Sequence, residues 1–219
     1  MRIMNRKSSH STNKVNLVTA NNKGCKISEE YRSIRTNFLS SIKDQESKAL
    51  IVTSPNYGEG KSTTAANFAI SLAQLGKKVL LIDANLRNST LHVSFKKSNY
   101  VGLSSVLLGR TILEESIIES EIIGLDLLTS GPDPFNPADL LGSHLMKTLI
   151  ETATEKYDLV LIDSPPTIEF TDTKIIANHC DGVILVIQWG KTKSNDVILA
   201  QKILSDSTKL MGVILNDRK

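Results

Sequence analysis

Residues 54–63 combine glycines, a lysine and hydroxyl side chains in the order Ser-Pro-Asn-Tyr-Gly-Glu-Gly-Lys-Ser-Thr. The two glycines allow backbone N–H groups to turn inward, where they can bind the oxygen atoms of phosphates. Lys61 can reach the β and γ phosphates of a nucleotide, and the hydroxyl of Ser62 can bind Mg²⁺. We therefore predict a phosphate-binding loop with these nucleotide contacts: Gly58, Glu59, Gly60, Lys61, Ser62 and Thr63.

The sequence on either side of this loop predicts a strand before it and a helix after it. An apolar run ends at Thr53, small residues follow at 65, 66, 69 and 73, and Gly76 is placed to end the helix. Pro55 stands where the G-x-x-x-x-G-K-[ST] pattern has its first glycine, so the literal pattern is not met. The strand, the helix and the Gly-Lys-Ser core nevertheless favour a phosphate loop over an ordinary turn.

Two later apolar runs each end in an aspartate, Asp83 and Asp163. Because the carboxyl ends of parallel strands share one edge of a sheet, both carboxylates are expected beside the phosphate loop. There they can orient Mg²⁺ and its waters, and they can accept a proton from an attacking hydroxyl. A single aspartate at a strand end is more often a helix cap, but two beside Lys61 favour a metal site of Ser62, Asp83 and Asp163.

Six short apolar runs alternate with helical segments along the chain, at 49–53, 78–83, 125–129, 158–163, 182–187 and 210–215. Helical segments of about ten residues or more can cross between most of these runs, as parallel pairing requires. The alternation predicts an α/β fold with a doubly wound, mostly parallel sheet flanked by helices. Asn216 follows the last run, where its amide could read an adenine edge or simply belong to a turn.

An amphipathic helix is predicted before the first strand, and Ser28 is placed to cap it with Glu29 and Glu30 in the first turn. Its apolar stripe repeats at intervals of three and four residues: Ile27, Tyr31, Ile34, Phe38 and Ile42.

Composition predicts one folded domain, residues 27–219, behind a basic and flexible leader, residues 1–26. Hydrophobic residues make up 40% and charged residues 22% of the 219, as in ordinary globular proteins. The leader carries six basic residues and no acidic one, so it could contact an anionic membrane face or an acidic partner, or remain solvated. No apolar run reaches the length of a membrane span, which predicts a cytoplasmic protein.

Several classes of site and partner are not expected from the sequence. Cys25 and Cys180 are the two cysteines, and they lie too far apart along the chain for metal-ligand spacing or a disulfide framework. The four histidines are equally scattered. Only the leader favours nucleic-acid binding, and no basic and aromatic surface element supports it, so no nucleic-acid partner is expected.

Taken together, these residues resemble the cytoplasmic kinase of bacterial polysaccharide co-polymerase systems, the BY-kinase family, over residues 27–216. The resemblance places Walker A at 54–63, a second Walker element at 83–87 and Walker B at 163–166. The segment 129–137 also resembles this family, although by position alone it is a proline-rich loop. The implied fold is a P-loop NTPase of the MinD/ParA-like group.

The resemblance implies an autophosphorylating protein-tyrosine kinase that uses ATP with Mg²⁺, returns ADP and regulates capsular or exopolysaccharide synthesis and export. Lys61 and Ser62 would hold phosphate and Mg²⁺, while Asp83 and Asp163 would arrange the metal. Asp83 would be the general base, and Arg87 would steady phosphate charge.

The resemblance also implies partners. Glu29, Arg32 and Arg35 match the family's Glu-x-x-Arg-x-x-Arg element, which joins subunits into a homo-oligomeric ring. They lie about 100° around the helix from the apolar stripe, so the stripe can be buried while the charges remain free for another chain. An ordinary solvated charged face is the alternative. A membrane-anchored polysaccharide co-polymerase adaptor would activate the protein and hold it at the inner face of the cell membrane. Its substrates would be protein tyrosines.

Two departures from the family leave other functions open. Asn85 stands where the family has a second aspartate, and an amide can neither take a proton nor add negative charge to a Mg²⁺ site. No tyrosine cluster follows the last strand, and the four tyrosines are isolated. Either a tail was removed, or another protein is phosphorylated, or the chain is a nucleotide-dependent regulator.

A MinD/ParA-like positioning ATPase is a further alternative. The phosphate loop of such ATPases usually carries a signature lysine at the position where this chain has Asn56.

Overall fold

The computed structural model describes residues 15–22, 24–42 and 48–217. Its strands are β1 (Ala49–Thr53), β2 (Val79–Asp83), β3 (Ile118–Glu119), β4 (Leu125–Leu128), β5 (Leu159–Asp163), β6 (Gly182–Gln188) and β7 (Leu210–Asn216). Its helices are α1 (Val18–Asn21), α2 (Lys26–Ser41), α3 (Lys61–Ala73), α4 (Leu91–Ser94), α5 (Leu103–Leu107), α6 (Leu113–Ser116), α7 (Pro137–Leu141), α8 (His144–Lys156), α9 (Asp172–Ala177) and α10 (Ser194–Leu204).

These strands form one sheet in the order β3-β4-β2-β5-β1-β6-β7. All neighbours pair in parallel except β3, which runs antiparallel to β4 at the edge. The predicted doubly wound sheet and its six strands are therefore confirmed. Strand β3 was not predicted, because two residues are too few to show an alternating pattern.

Both faces of the sheet are covered, which explains why its strands are continuous apolar runs. In β1, Leu50 and Val52 face a core formed with α2 and α3, while Ala49 and Ile51 face a second core formed with α8 and α9. All five residues of β1 are buried. Burial on both faces fixes the central strands, whose carboxyl ends carry the residues with predicted chemistry.

Helix α2 begins at Lys26, three residues earlier than a cap at Ser28 would allow. Cys25 is the N-cap, whereas Ser28 is buried inside the first turn and donates a hydrogen bond to the carbonyl of Asn22 at 2.6 Å. The predicted capping by Ser28 is therefore wrong, because the preceding chain folds back and takes this hydroxyl. Within the predicted stripe, Tyr31 and Phe38 are buried, but Ile27 is 47% exposed.

Part of the predicted leader lies against the domain. The backbone N–H of Val15 donates to the Ser94 hydroxyl at 2.8 Å, and that of Thr19 donates to the Asn67 side chain at 2.9 Å. Val15 and Thr19 are both buried. Residues 1–14 and 23 lie outside the described residues, so the division of the chain at residue 26 stays a prediction.

None of the helices in the described ranges combines the length and the apolar character that crossing a membrane would require.

Candidate functional site

The phosphate loop joins β1 to α3 and takes its shape from two glycines with positive φ. Gly58 has φ +74° and Gly60 has φ +93°, a region that residues with a Cβ rarely adopt. Gly60 is also the N-cap of α3, so Lys61 and Ser62 stand in its first turn. The Lys61 side chain is largely buried and its Nζ lies 3.4 Å from the Ser62 hydroxyl. The cation and the hydroxyl thus lie together where the helix dipole favours an anion.

The loop is held from β7 and from the connection between β6 and α10. Glu59 is buried, and its carboxylate accepts hydrogen bonds from the backbone N–H of Asn56 at 2.8 Å and from the Thr192 hydroxyl at 2.6 Å. Its carbonyl accepts a hydrogen bond from the Asn216 amide at 3.1 Å. The Asn216 amide therefore fastens the loop in this structure, whereas its predicted contact with adenine stays a prediction.

Lys191 is a second cation at the phosphate loop, and no motif in the sequence predicted it. Its Nζ lies 3.3 Å from the carbonyl oxygen of Gly58, across 133 positions of sequence. A lysine in the loop after β6 has no spacing relation to the glycines. Only the order of the strands, with β6 beside β1, brings it to the site.

The two predicted aspartates lie directly opposite each other on neighbouring strands. Asp83 of β2 pairs in register with Asp163 of β5, and both are fully buried. Neither carboxylate oxygen of Asp163 makes a hydrogen bond of regular geometry among the described residues, although the Ser62 hydroxyl and the Lys61 ammonium lie near enough to lower its pKa. Buried polar atoms without partners are costly, and carboxylate oxygens are the ligands that Mg²⁺ prefers. The structure thus fits a divalent cation at Asp163.

Asp83 already has partners in the structure. Its Oδ1 accepts a hydrogen bond from the backbone N–H of Asn85 at 3.3 Å, and its Oδ2 accepts from those of Thr90 and Leu91 at 3.2 and 3.1 Å. These hydrogen bonds hold the loop that leads into α4 in place, as a helix cap would. A carboxylate offers about four acceptor positions, so these three bonds leave capacity for a metal or a proton.

Burial of two facing carboxylates changes their acidity. Burial and the charge of Asp163 raise the pKa of Asp83 to about 7, although the N–H groups of Leu91 and Thr90 and the charge of Lys61 oppose this shift. Burial also raises the pKa of Asp163, and Lys61 opposes that shift in part. A divalent cation held by the two acids would favour their ionised forms and so oppose both shifts.

The second Walker element contains two further residues with predicted roles or departures, Asn85 and Arg87. Asn85 is buried and its side-chain carbonyl oxygen has no hydrogen-bond partner among the described residues. Arg87 makes a bidentate pair with the fully buried Asp172, at 2.8 and 3.0 Å, and its guanidinium lies 4.3 Å from the centre of the Phe170 ring. Its side chain is held at the start of α9, and its contact with phosphate stays a prediction.

The three predicted oligomerisation residues are engaged within the chain. Arg32 pairs with Glu29 on α2. Arg35 donates a hydrogen bond to the carbonyl of Ser71 on α3 at 2.6 Å. Their role between subunits stays a prediction.

Comparison with known proteins places this site in a family. A family model described as an AAA domain matches residues 47–199. The chain is 48% identical to tyrosine-protein kinase YwqD of Bacillus subtilis over 193 residues, which cover 88% of this chain and 81% of that protein. This chain belongs to the bacterial tyrosine-protein kinase family. The predicted resemblance is confirmed, and the names of the relatives bear out the predicted enzyme class.

Solved structures of the family have the same fold. The kinase domain of Escherichia coli tyrosine kinase ETK matches with a TM-score of 0.88 at 31% identity, over 95% of this chain and 82% of that one. The chimerical protein CapA2B2 matches with a TM-score of 0.88 at 36% identity, over 92% and 89%. The septum site-determining protein MinD of Pyrococcus horikoshii, at 23% identity and a TM-score of 0.67, shows the fold alone and confirms the predicted fold group.

Replacing Gly60 with alanine would test how closely the Asn216 side chain packs on the loop. A Cβ there would lie 2.1 Å from the Asn216 amide nitrogen, and φ is +93°. We expect Gly60→Ala to lower the free energy of unfolding by about 2–4 kcal/mol, from backbone strain and the clash together. Gly76→Ala is the matched control, because φ is +89° with nothing within 4 Å, and it should cost about 1 kcal/mol. Equal losses in urea unfolding would contradict the clash.

Proposed function

We propose that this chain is an ATP-dependent protein-tyrosine kinase that binds Mg-ATP at the phosphate loop. The observation that carries the proposal is the fully buried Asp163, which faces Asp83 across the strand pair and makes no hydrogen bond of regular geometry among the described residues. Lys61 and Ser62 lie in the first turn of the adjoining helix. A cation, a hydroxyl and two acids at one sheet edge form the constellation that phosphoryl transfer from a nucleotide requires.

The proposed nucleotide site uses the residues predicted from sequence. Backbone N–H groups of 58–63 would bind the phosphates, and Lys61 would pair with the β and γ oxygens. Ser62, Asp163 and Asp83 would hold Mg²⁺, which when bound neutralises charge on those phosphates. Asn216 would contact the base, and it also lines an open groove of about 1280 Å³ between α2 and β7.

Asp83 is the group best suited to take the proton from a tyrosine hydroxyl. Burial beside Asp163 raises the pKa of Asp83 to about 7 in the protein without nucleotide, and the charge of Mg²⁺ would lower that pKa, so the carboxylate would be ionised and able to accept the proton. The phenol oxygen would attack the γ phosphorus as ADP leaves, and its proton would pass to the Asp83 carboxylate. Lys61 would stabilise the charge on the transferring group.

A catalytically weak regulator is a second candidate, and Asn85 favours it. Its buried amide stands where a carboxylate would add a charge to the metal site. We expect Asn85→Asp to tighten Mg²⁺ binding about tenfold, because the number of carboxylates sets affinity for the cation. Asn88→Asp is the matched control, since it adds the same charge at an exposed position three residues on.

Incubating wild type and both variants with Mg-ATP and a tyrosine-rich peptide distinguishes the kinase from the regulator. Phosphotyrosine from the wild type supports the kinase. Phosphotyrosine from Asn85→Asp alone supports the regulator. ATP hydrolysis without phosphotyrosine in every sample contradicts both and supports a positioning ATPase.

We also propose that an adaptor activates the chain and recruits it to the membrane, and that copies form a ring through Glu29, Arg32 and Arg35. Support comes from the match to the chimerical protein CapA2B2 and from the sequence element on α2. The process served would be capsular or exopolysaccharide synthesis. Adding the cytoplasmic segment of a candidate adaptor should increase phosphotyrosine formation by wild type and not by Arg32→Ala.

A further inference from the structure

We infer that residues 15–22 form a strap whose docking on the domain and nucleotide binding at the phosphate loop strengthen each other. The inference rests on the proposed nucleotide site, and it concerns residues that the sequence alone assigned to a flexible leader. Two sets of hydrogen bonds connect the strap to the elements that carry the proposed site, one through α3 and one through α4.

The strap packs on the domain through a small number of side chains. Val15 is 5% exposed and belongs to the core that α2 and α3 form with the sheet, and Leu17 and Ala20 pack against the same core. Thr19 is also buried, and its carbonyl accepts a hydrogen bond from the Gln74 amide at 3.0 Å. Because the strap buries so few apolar side chains, it should detach at a lower free energy than the strands do.

The first connection runs through the side chain of Asn67 on α3, which is fully buried. Its carbonyl oxygen accepts a hydrogen bond from the backbone N–H of Thr19 at 2.9 Å, and its amide donates to the carbonyl of Asn16 at 2.8 Å. The same amide donates to the carbonyl of Thr63 at 2.9 Å. Thr63 is the last residue of the phosphate loop. One buried amide thus holds the strap against the first turn of α3.

The second connection runs through Ser94 of α4 and reaches the carboxylate of Asp83. The backbone N–H of Val15 donates to the Ser94 hydroxyl at 2.8 Å, and that hydroxyl donates to the carbonyl of Thr90 at 3.0 Å. The backbone N–H of Thr90 in turn donates to Asp83 Oδ2 at 3.2 Å. Three successive hydrogen bonds therefore link the strap to the proposed general base.

These connections couple docking of the strap to nucleotide binding. Mg-ADP should bind better when the phosphate loop and the turn after Asp83 are already held in place, because binding then costs less conformational entropy. By thermodynamic linkage, bound nucleotide must hold the strap down by the same factor, and such factors are typically about 5 to 150. Asn67 and Ser94 are positioning residues, since they act on the site through Thr63 and Thr90.

Releasing the strap by a substitution outside the site tests the coupling. Val15→Asp places a charge in the core, which makes docking of the strap unfavourable, while the phosphate loop keeps its sequence. We expect Val15→Asp to bind Mg-ADP at least fivefold more weakly than wild type in calorimetric titrations. Asn21→Asp is the matched control, because it adds the same charge to the strap at an exposed position. Its affinity should equal that of wild type.

Hydrogen exchange measures the same coupling in the wild type, without a substitution. We expect saturating Mg-ADP to slow exchange of the Val15 and Thr19 amides, followed by NMR, by the factor in affinity that Val15→Asp loses. The Val160 amide, which donates to the carbonyl of Lys48, reports global unfolding from a central strand. Exchange of the strap amides at the Val160 rate, with and without nucleotide, would show that the strap never opens by itself and would overturn the inference.

The titrations also distinguish failure of the coupling from failure of the proposed nucleotide site. If wild type does not bind Mg-ADP, the proposed site is wrong and the coupling is wrong with it. If wild type and Val15→Asp bind Mg-ADP equally well, the coupling is wrong while the site stands. If circular dichroism shows that Val15→Asp is unfolded, the exchange rates of the wild type decide between the same outcomes.

Discussion

Replacing Lys61 with alanine should lower kcat/KM for phosphoryl transfer about 10²- to 10³-fold, the usual loss when one charged group that stabilises a transferring group is removed. The lysine is largely buried at the start of α3, and its Nζ is directed to the Ser62 hydroxyl. Lys191, the second cation at the loop, lies at the carbonyl of Gly58 and not in this first turn. Steady-state kinetics with a tyrosine-rich peptide measure the loss, and nucleotide titration should show weaker ATP binding.

Lys202→Ala is the control for this variant, because it removes the same charge from an exposed position on α10. Its kinetics should match the wild type. Retention of wild-type kcat/KM by Lys61→Ala would show that the phosphates bind elsewhere, and the proposed nucleotide site would then be wrong.

Replacing Asp163 with asparagine should affect stability and activity in opposite directions. Without its charge, the buried pair loses its mutual repulsion, so the nucleotide-free protein should gain on the order of 1 kcal/mol in unfolding free energy at pH 8. The Mg²⁺ site loses this carboxylate, so transfer should fall about 10²-fold or more. The increase in melting temperature that Mg-ATP gives the wild type should disappear.

The pH dependence of stability provides a second measurement on this variant. Folding raises the pKa of Asp83 to about 7, so between about pH 4 and 7 the folded state binds more protons than the unfolded state. The contribution of Asp83 to stability is therefore present at low pH and is lost as pH rises through 7. Lys61 and Asp163 are the charged groups that face it, so Asp163→Asn should reduce this decline without abolishing it, since burial remains.

Asp206→Asn controls for the change in net charge, because Asp206 is exposed in the turn before β7. It should retain both the pH dependence and the response to Mg-ATP. If Asp163→Asn also kept its response to Mg-ATP, then Asp163 would not be a ligand of the cation.

The sequence predicted the sheet well because its strands are buried on both faces and read as unbroken apolar runs. It predicted the neighbourhood of Asp83 and Asp163 because both stand at the carboxyl ends of parallel strands. It could not show that Asp83 would also bind the N–H groups of Thr90 and Leu91, since that depends on how the next loop folds. From the motif alone the two acids are alike, whereas in the structure they differ in their hydrogen-bond partners.

Most of the site features that the sequence did not predict are contacts between segments that lie far apart along the chain. Thr192 reaches Glu59 and Lys191 reaches Gly58, each across 133 positions of sequence. No periodic pattern records such a pair, because it depends on which strands become neighbours. Ser28 shows a related limit, since its hydroxyl donates to the carbonyl of Asn22 instead of capping the helix.

The Asn216 amide joins the end of β7 to the carbonyl of Glu59, and its nitrogen fills the space above Gly60. Displacement of the end of β7 would therefore be transmitted through the Asn216 amide to the carbonyl of Glu59, beside the glycine at which α3 begins. The affinity of the proposed nucleotide site would then depend on the position of this edge strand.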